Sequence, residues 1–331
     1  MITIRKAGLL TTVQDLGRVN YLSQAVPFSG AMDSLSARIA NIALGNDEDC
    51  AVIEFTQSGA SLFTGSDALL AFSGDGAYLT TDDRRLPSDR LVFIPAGTSL
   101  YLEHNKSGSR SYLAIAGGWD VPKVLGSRST YLTAKIGGLE GRCLAENDRL
   151  HGTGKLTPAA EVIFNSLQGP IIKYPNWCVA RELFLPERGN AIRVMPGREI
   201  DWFTQSSRNG FLSQTYTIGN NSNRMGYHLE GVSINRLRKD ELLSTAVTPG
   251  TIQVTNDGSL ILLMADCQTT GGYPRIAQVA AVDMPLCAQL KPGDSVSFKE
   301  LSWKEAEKLY IKLMQDLAKV TLAVKQKYGV K

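Results

Sequence analysis

A chain of 331 residues, 43% apolar and 20% charged, is long enough for two domains, each with a sizeable core. Its 35 basic and 32 acidic residues leave a formal charge of only +3, which gives no broad electrostatic footprint for nucleic acid and no basic run for a membrane surface. The five cysteines, Cys50, Cys143, Cys178, Cys267 and Cys287, are scattered and form no C-x-x-C pair, and no apolar run approaches the ~18 residues of a membrane span, so free thiols, no metal site and a cytoplasmic location are expected.

In chain order, Ile2-Thr-Ile4 and Leu9-Leu-Thr-Thr-Val13 read as short strands before the turn at Asp15-Leu-Gly-Arg18. Residues 34–44 place Leu35, Ile39 and Ile42 on one helical face behind Asp33, with Gly45 as the stop. From Cys50 to Leu150 the pattern is β throughout, with strands about every ten residues and turn signals such as Gly74-Asp-Gly76 and Pro95-Ala-Gly97 between them. That spacing predicts a closed or nearly closed antiparallel barrel. Residues 151–190, carrying Pro158, Pro170, Pro175 and Pro186, read as a connector. A second β-rich set follows, including Phe211-Leu212, Val232-Ser-Ile234 and Leu260-Ile-Leu-Leu-Met264. Two tandem β domains are therefore expected, at 1–186 and 187–300, with the stretch from Met1 to Arg18 free to lend a strand to the second. Residues 301–331 form a C-terminal helix, opened by a capping box at Ser302 and Glu305, with Leu309, Leu313, Leu317, Val320 and Val324 along one side. The expected fold class is mainly β, two barrels in tandem with one C-terminal α-helix.

The chemistry concentrates in polar loops at strand ends. Asp266-Cys-Gln-Thr-Thr-Gly-Gly-Tyr-Pro274 offers a carboxylate, an amide and two hydroxyls ahead of two glycines that allow close backbone approach. The same side chains would also cap the strand and satisfy their own loop, and on chemistry alone the two readings weigh about equally. Ser29, Gly30 and Asp33 precede a helix N-terminus, which either binds an anion or is simply capped by Asp33. Arg224, beside Asn223, and Arg128, beside Ser129, suit a bidentate grip on a carboxylate or phosphate, or else a structural ion pair. No G-x-x-x-x-G-K-[ST] phosphate loop, no G-x-S-x-G and no biotinylation sequence occurs, and His104, His151 and His228 lie far apart.

Six motifs in order resemble one family. Val13-Gln-Asp-Leu-Gly-Arg18, Val26-Pro-Phe-Ser-Gly-Ala-Met-Asp33, Ala40-Asn41 with Gly45-Asn46, Leu125-Gly-Ser-Arg-Ser-Thr-Tyr131, Asn223-Arg-Met-Gly-Tyr227 and the Asp266–Pro274 loop are similar to signatures of the allophanate hydrolase subunit 2, or biotin-dependent carboxyltransferase, family. The resemblance implies two cyclophilin-like β-barrels. It also implies a cleft in which Asp266, Gln268 and Arg224 are catalytic, while Ser29, Gly30, Asp33, Arg128, Ser129, Asn223, Thr269, Thr270, Gly271, Gly272 and Tyr273 bind substrate. The activity it implies is that of an ATP-dependent 5-oxoprolinase subunit opening 5-oxoproline to L-glutamate with partner subunits A and B, ATP lying at a shared site and biotin not attached to this chain. Two alternatives are carboxyl transfer to urea or a similar amide, and a regulatory module that holds a partner protein. Cys267 and His228 stand where relatives usually carry arginine, which implies altered specificity if those arginines touch substrate.

Overall fold

In a computed structural model the described residues are 1–57, 59–185, 191–238 and 240–327, and the chain divides into two compact units. The first comprises Met1–Gly17, Asp33–Phe184 and Gln315–Lys331; the second comprises Arg18–Met32 and Leu185–Met314. The expected boundary at 186/187 lies outside the described residues.

The first unit contains strands β1 (Ile2–Ala7), β2 (Leu10–Gln14), β3 (Val52–Thr56), β4 (Ala60–Thr64), β5 (Ala68–Gly74), β6 (Ala77–Thr80), β7 (Leu91–Ile94), β8 (Ser99–His104), β9 (Arg110–Ile115) and β10 (Arg149–Leu150), with helices α1 (Ser34–Ala43) and α2 (Pro158–Leu167). They form two five-stranded sheets, ordered β10-β1-β4-β8-β6 and β2-β3-β9-β5-β7, so this unit is two sheets around one core and not one hydrogen-bonded cylinder. Alternation builds the core: Ile2 and Ile4 of β1, Phe55, Leu70, Phe72, Leu100 and Leu113 are all buried, with Trp119 among them. Helix α1 follows the sequence expectation. Asp33 caps it, Leu35, Ile39 and Ile42 are buried, and Gly45 ends it at φ 70°.

Two expectations fail here for identifiable reasons. The stretch read as a connector contains α2, because Thr157 accepts a hydrogen bond from the Ala160 N–H and Pro158 sits in the first turn, where its missing donor costs nothing. Proline opens this helix instead of breaking it. Both strands of residues 1–17 pair within the first unit, and it is Arg18–Met32 that joins the second unit.

The second unit contains β11 (Ala191–Pro196), α3 (Gln205–Ser213), β12 (Thr215–Ile218), β13 (Gly226–Glu230), β14 (Thr245–Ala246), β15 (Thr251–Val254), β16 (Leu260–Leu263), β17 (Thr270–Gly271), β18 (Arg275–Val279), α4 (Met284–Gln289) and β19 (Ser295–Glu300). Seven of these strands close a barrel in the order β11-β18-β15-β16-β13-β12-β19, and the β11–β19 junction is the parallel one, with Ile192 opposite Phe298. Closure removes strand edges. Its core joins Ile192, Tyr216, Leu229, Ile252, Leu262, Ile276 and Phe298, and includes Met32. Phe211, expected in a strand, lies in α3, which Thr204 caps through the Ser207 N–H; its ring stacks on Phe298 at 4.7 Å between centroids. Val232-Ser-Ile234 also forms no strand, although Ile234 is buried in this core. The last helix, α5 (Trp303–Lys327), begins at the expected capping box, where the Ser302 hydroxyl accepts from the Glu305 N–H and the Glu305 carboxylate accepts from the Ser302 N–H. No described helix is long and apolar enough to cross a membrane.

Candidate functional site

Strand order brings the main candidates together. β13 and β16 are antiparallel neighbours with Gly226 opposite Leu263, so the residues just before β13 and just after β16 must meet. There the Asp266 N–H donates to the Arg224 carbonyl at 2.9 Å, extending the ladder. The side chains pair as well: Arg224 Nε donates to Asp266 Oδ2 at 2.8 Å and Arg224 Nη2 to Oδ1 at 3.1 Å, with both side chains only 5–6% exposed. Nη2 also donates to the Gly30 carbonyl at 2.7 Å. A forked guanidinium thus ties the Asp266 loop to the Ser29–Gly30 turn, and both carboxylate oxygens are engaged. In this arrangement Asp266 is an anchor for Arg224 and not a free base.

The rest of the loop has its own geometry. Gln268 is exposed on the same turn. Thr269 accepts from the Val247 N–H through its carbonyl, and Thr270 and Gly271 pair with Ala246 and Thr245 in the β14–β17 ribbon. A Cβ on Gly271 would stand 2.5 Å from Gln253 Nε2, which donates to the Tyr273 carbonyl, so a larger residue here would have to displace the Gln253 amide from that bond. Gly272 and Tyr273 line an open cleft of about 690 Å³ together with Asn235, Arg236, Asn256 and Asp257. That volume lies in the range of small-molecule sites. Arg224, Asp266 and Gly30 do not line this cleft, so the loop presents two distinct faces.

Other candidates serve the local fold. Asn223 Oδ1 accepts from the Met225 N–H, forming an Asx turn into β13. Asp33 spends both oxygens on Ser36, Oδ1 accepting from its N–H and Oδ2 from its hydroxyl, the capping reading. Ser129 and Ser127 donate their hydroxyls to Asp15 Oδ1 at 2.5 and 2.6 Å, and the Arg128 N–H donates to Oδ2. Asp15 is the residue that sequence reasoning passed over: a buried carboxylate with four protein donors, counting the Gly17 N–H, that fixes the 125–131 loop. The Arg128 guanidinium donates from Nε to the Val121 carbonyl. Arg275, directly after the motif, was likewise not foreseen. It grips Glu199 with two bonds of 2.6 Å and reaches the Ala246 carbonyl, bracing the ribbon under the loop.

The two departures separate physically. Cys267 packs with Val247 and Leu263, and burial, reinforced by Asp266, pushes its thiol up to about 12, so it is no reactive thiolate. His228 is exposed and lines a smaller cleft of about 340 Å³ beside Glu230.

The chain belongs to the carboxyltransferase domain family, subdomain A and B, which matches residues 24–300. It is similar to the C subunit of 5-oxoprolinase from Escherichia coli strain K12, at 38% identity over 308 residues that span 93% of this chain and 94% of that protein. It also resembles urea amidolyase of Lachancea kluyveri, at 32% identity over 96% of this chain and 18% of that one. Among solved structures, Kluyveromyces lactis urea carboxylase superposes with a TM-score of 0.85 at 29% identity, over 96% of this chain and 29% of that one.

Proposed function

We propose that the chain is the C-type subunit of an ATP-dependent 5-oxoprolinase, acting with A- and B-type partners to open 5-oxoproline to L-glutamate. The observation that carries this reading is the two-way coverage of the Escherichia coli protein, 93% of one chain against 94% of the other. Carboxyl transfer to urea is the second reading, favoured by the superposition on urea carboxylase, although the chain spans only 29% of that enzyme.

An unstrained lactam carbonyl is a poor electrophile. In the proposed reaction its oxygen takes the γ-phosphoryl group of ATP as ADP leaves. Water adds to the resulting imidate carbon, the C–N bond breaks as nitrogen takes up a proton, and a second water releases phosphate. The guanidinium of Arg224, held by Asp266, would steady charge on the transferred group, with Gln268 and the glycine-flanked backbone N–H groups around it. ATP belongs to a shared site of another kind than the phosphate loop, whose sequence this chain lacks.

The purified chain alone is therefore expected to hydrolyse ATP negligibly, and 5-oxoproline-dependent phosphate release should appear only when A- and B-type subunits are added. Robust substrate-dependent hydrolysis by the chain alone would refute the division of labour. Turnover of urea but not 5-oxoproline by the mixture would move the assignment to the second reading.

A further inference from the structure

The outer face of the sheet ordered β10-β1-β4-β8-β6 is not an ordinary solvated face. Ile2, Ile4, Leu62, Leu79, Leu100 and Leu102 point into the core, so the residues that alternate with them point outwards. Register then sets Phe63 of β4, Tyr101 of β8 and Tyr78 of β6 on one diagonal across three adjacent strands, with Phe63 opposite Ser99, Tyr101 between Ser61 and Thr80, and Tyr78 opposite Glu103. A guanidinium lies on each end of that diagonal, Arg5 at 5.0 Å from the Phe63 ring centre and Arg85 at 3.2 Å from that of Tyr78. A sheet face turned to water is usually polar, and none of these three rings joins the core. Tyr101 is 37% exposed, and Arg5, Lys6, Arg85, Glu103 and Arg149 are exposed around it. Tyrosine and arginine are the residues that dominate the centres of protein interfaces.

We propose that this face docks a carboxylate-rich surface of a partner subunit, resting on the functional reading above for the existence of that partner. Charge decides the chemistry. Arg5, Lys6, Arg85 and Arg149 surround the rings, whereas Glu103 is the one carboxylate among the described residues of the five strands. A second copy of this chain is a poor occupant, because two-fold docking of the face on itself sets arginine against arginine. Single-stranded nucleic acid also stacks on rings, but it is drawn by a broad positive field, which a chain of net charge +3 lacks. An acidic protein surface suits both features: its carboxylates take the guanidinium forks while an apolar side chain covers Tyr101. Five strands about 4.8 Å apart make the face roughly 20 Å wide, room for the centre of such a contact.

The test titrates the full chain with the A-type and with the B-type subunit, each separately. Tyr101→Ala and the double variant Arg85→Glu/Arg149→Glu should each weaken the binding of one subunit about 30-fold, the scale of a lost hot-spot side chain. Glu103→Lys should tighten the same binding several-fold by speeding association, an effect that a merely structural role for the sheet face does not give. Unchanged affinity in Tyr101→Ala and in the double variant overturns the inference and leaves the functional reading standing. So does a Glu103→Lys chain that binds no tighter than the wild type, since the face would then not read negative charge. Tight capture of an oligothymidylate strand that the double variant abolishes overturns it too, making the face a nucleic-acid platform. A wild-type chain that binds neither subunit overturns both readings. The expected responses in a complex that turns over urea and not 5-oxoproline overturn the functional reading alone.

Discussion

Replacing Asp266 by asparagine is expected to lower turnover of the reconstituted complex about 100-fold and also to destabilise the chain, because it strips the buried Arg224 of its counter-charge. Removing one partner of a buried pair costs about 3–5 kcal/mol, which for a domain of this size is a melting-point loss on the order of 10 °C. Arg224→Lys keeps the charge but loses the fork to Asp266 and the reach to the Gly30 carbonyl, so its activity should fall as far while its melting point falls less. Since stability moves in both variants, Gln268 decides the matter. It is exposed on the same loop, and Gln268→Ala should cost no more than about 0.5 kcal/mol. A fall of about tenfold or more in its turnover, at an unchanged melting point, places the loop at the reaction. Normal turnover in Gln268→Ala, with the other two variants losing only the activity of their unfolded fraction, would reduce Arg224–Asp266 to a structural tie.

The second large effect is on stability against pH, and it centres on Asp89. This residue is buried, donates its N–H to the Phe72 carbonyl, and accepts from the Ser73 hydroxyl at 2.5 Å. Burial pushes its carboxyl up to about 6, even though Arg181 and the Ser73 hydroxyl pull it down, with Glu182 and Asp75 adding to the rise. The nearest Arg181 contact, Nε to Oδ2, is 3.7 Å, too long for a hydrogen bond, because Arg181 gives its Nη2 to Asp75 at 2.5 Å and its Nη1 to Ser36. With the folded value above the unfolded one, the native chain holds a proton that the unfolded chain has released. Stability from Asp89 is then fully present below about pH 4 and lost as pH rises through about 6. Two units correspond to about 3 kcal/mol. Asp89→Asn cannot ionise, so its stability relative to wild type should rise by about that amount between pH 4 and pH 7.5 in urea unfolding. Parallel profiles for the two proteins would show that Asp89 ionises freely in the fold.

Local signals made the strands and capped helices legible. Ile2 and Ile4 alternate into the core, Asp33 and Gly45 bracket α1, and the box at Ser302 and Glu305 opens α5. Helix α3 was not legible, because its sequence, QSSRNGFLS, has little apolar periodicity and is carried by the packing of Phe211. The parallel β11–β19 junction joins strands distant in sequence, and nothing local encodes it. The Arg224–Asp266 contact spans 42 residues and follows from strand register, whereas the motif loops announced only that polar groups sit at strand ends. The cap at Thr157 was legible in principle, since a threonine before a proline with Glu161 in the first turn is a start signal.

Residues Arg18–Met32 belong to the second unit, most of which is made long after them. That segment leaves the ribosome early, yet the barrel it joins is complete only after β19 ends at Glu300. At cellular elongation rates of about 5–20 residues per second, Met32 waits on the order of tens of seconds for its core neighbours. Until residue 224 has been made the Ser29–Gly30 turn has no Arg224 to hold it, and its strained backbone is left to relax. Nascent chains halted before Arg224 should therefore be open to protease between residues 18 and 32, and chains released after Glu300 should be closed to it.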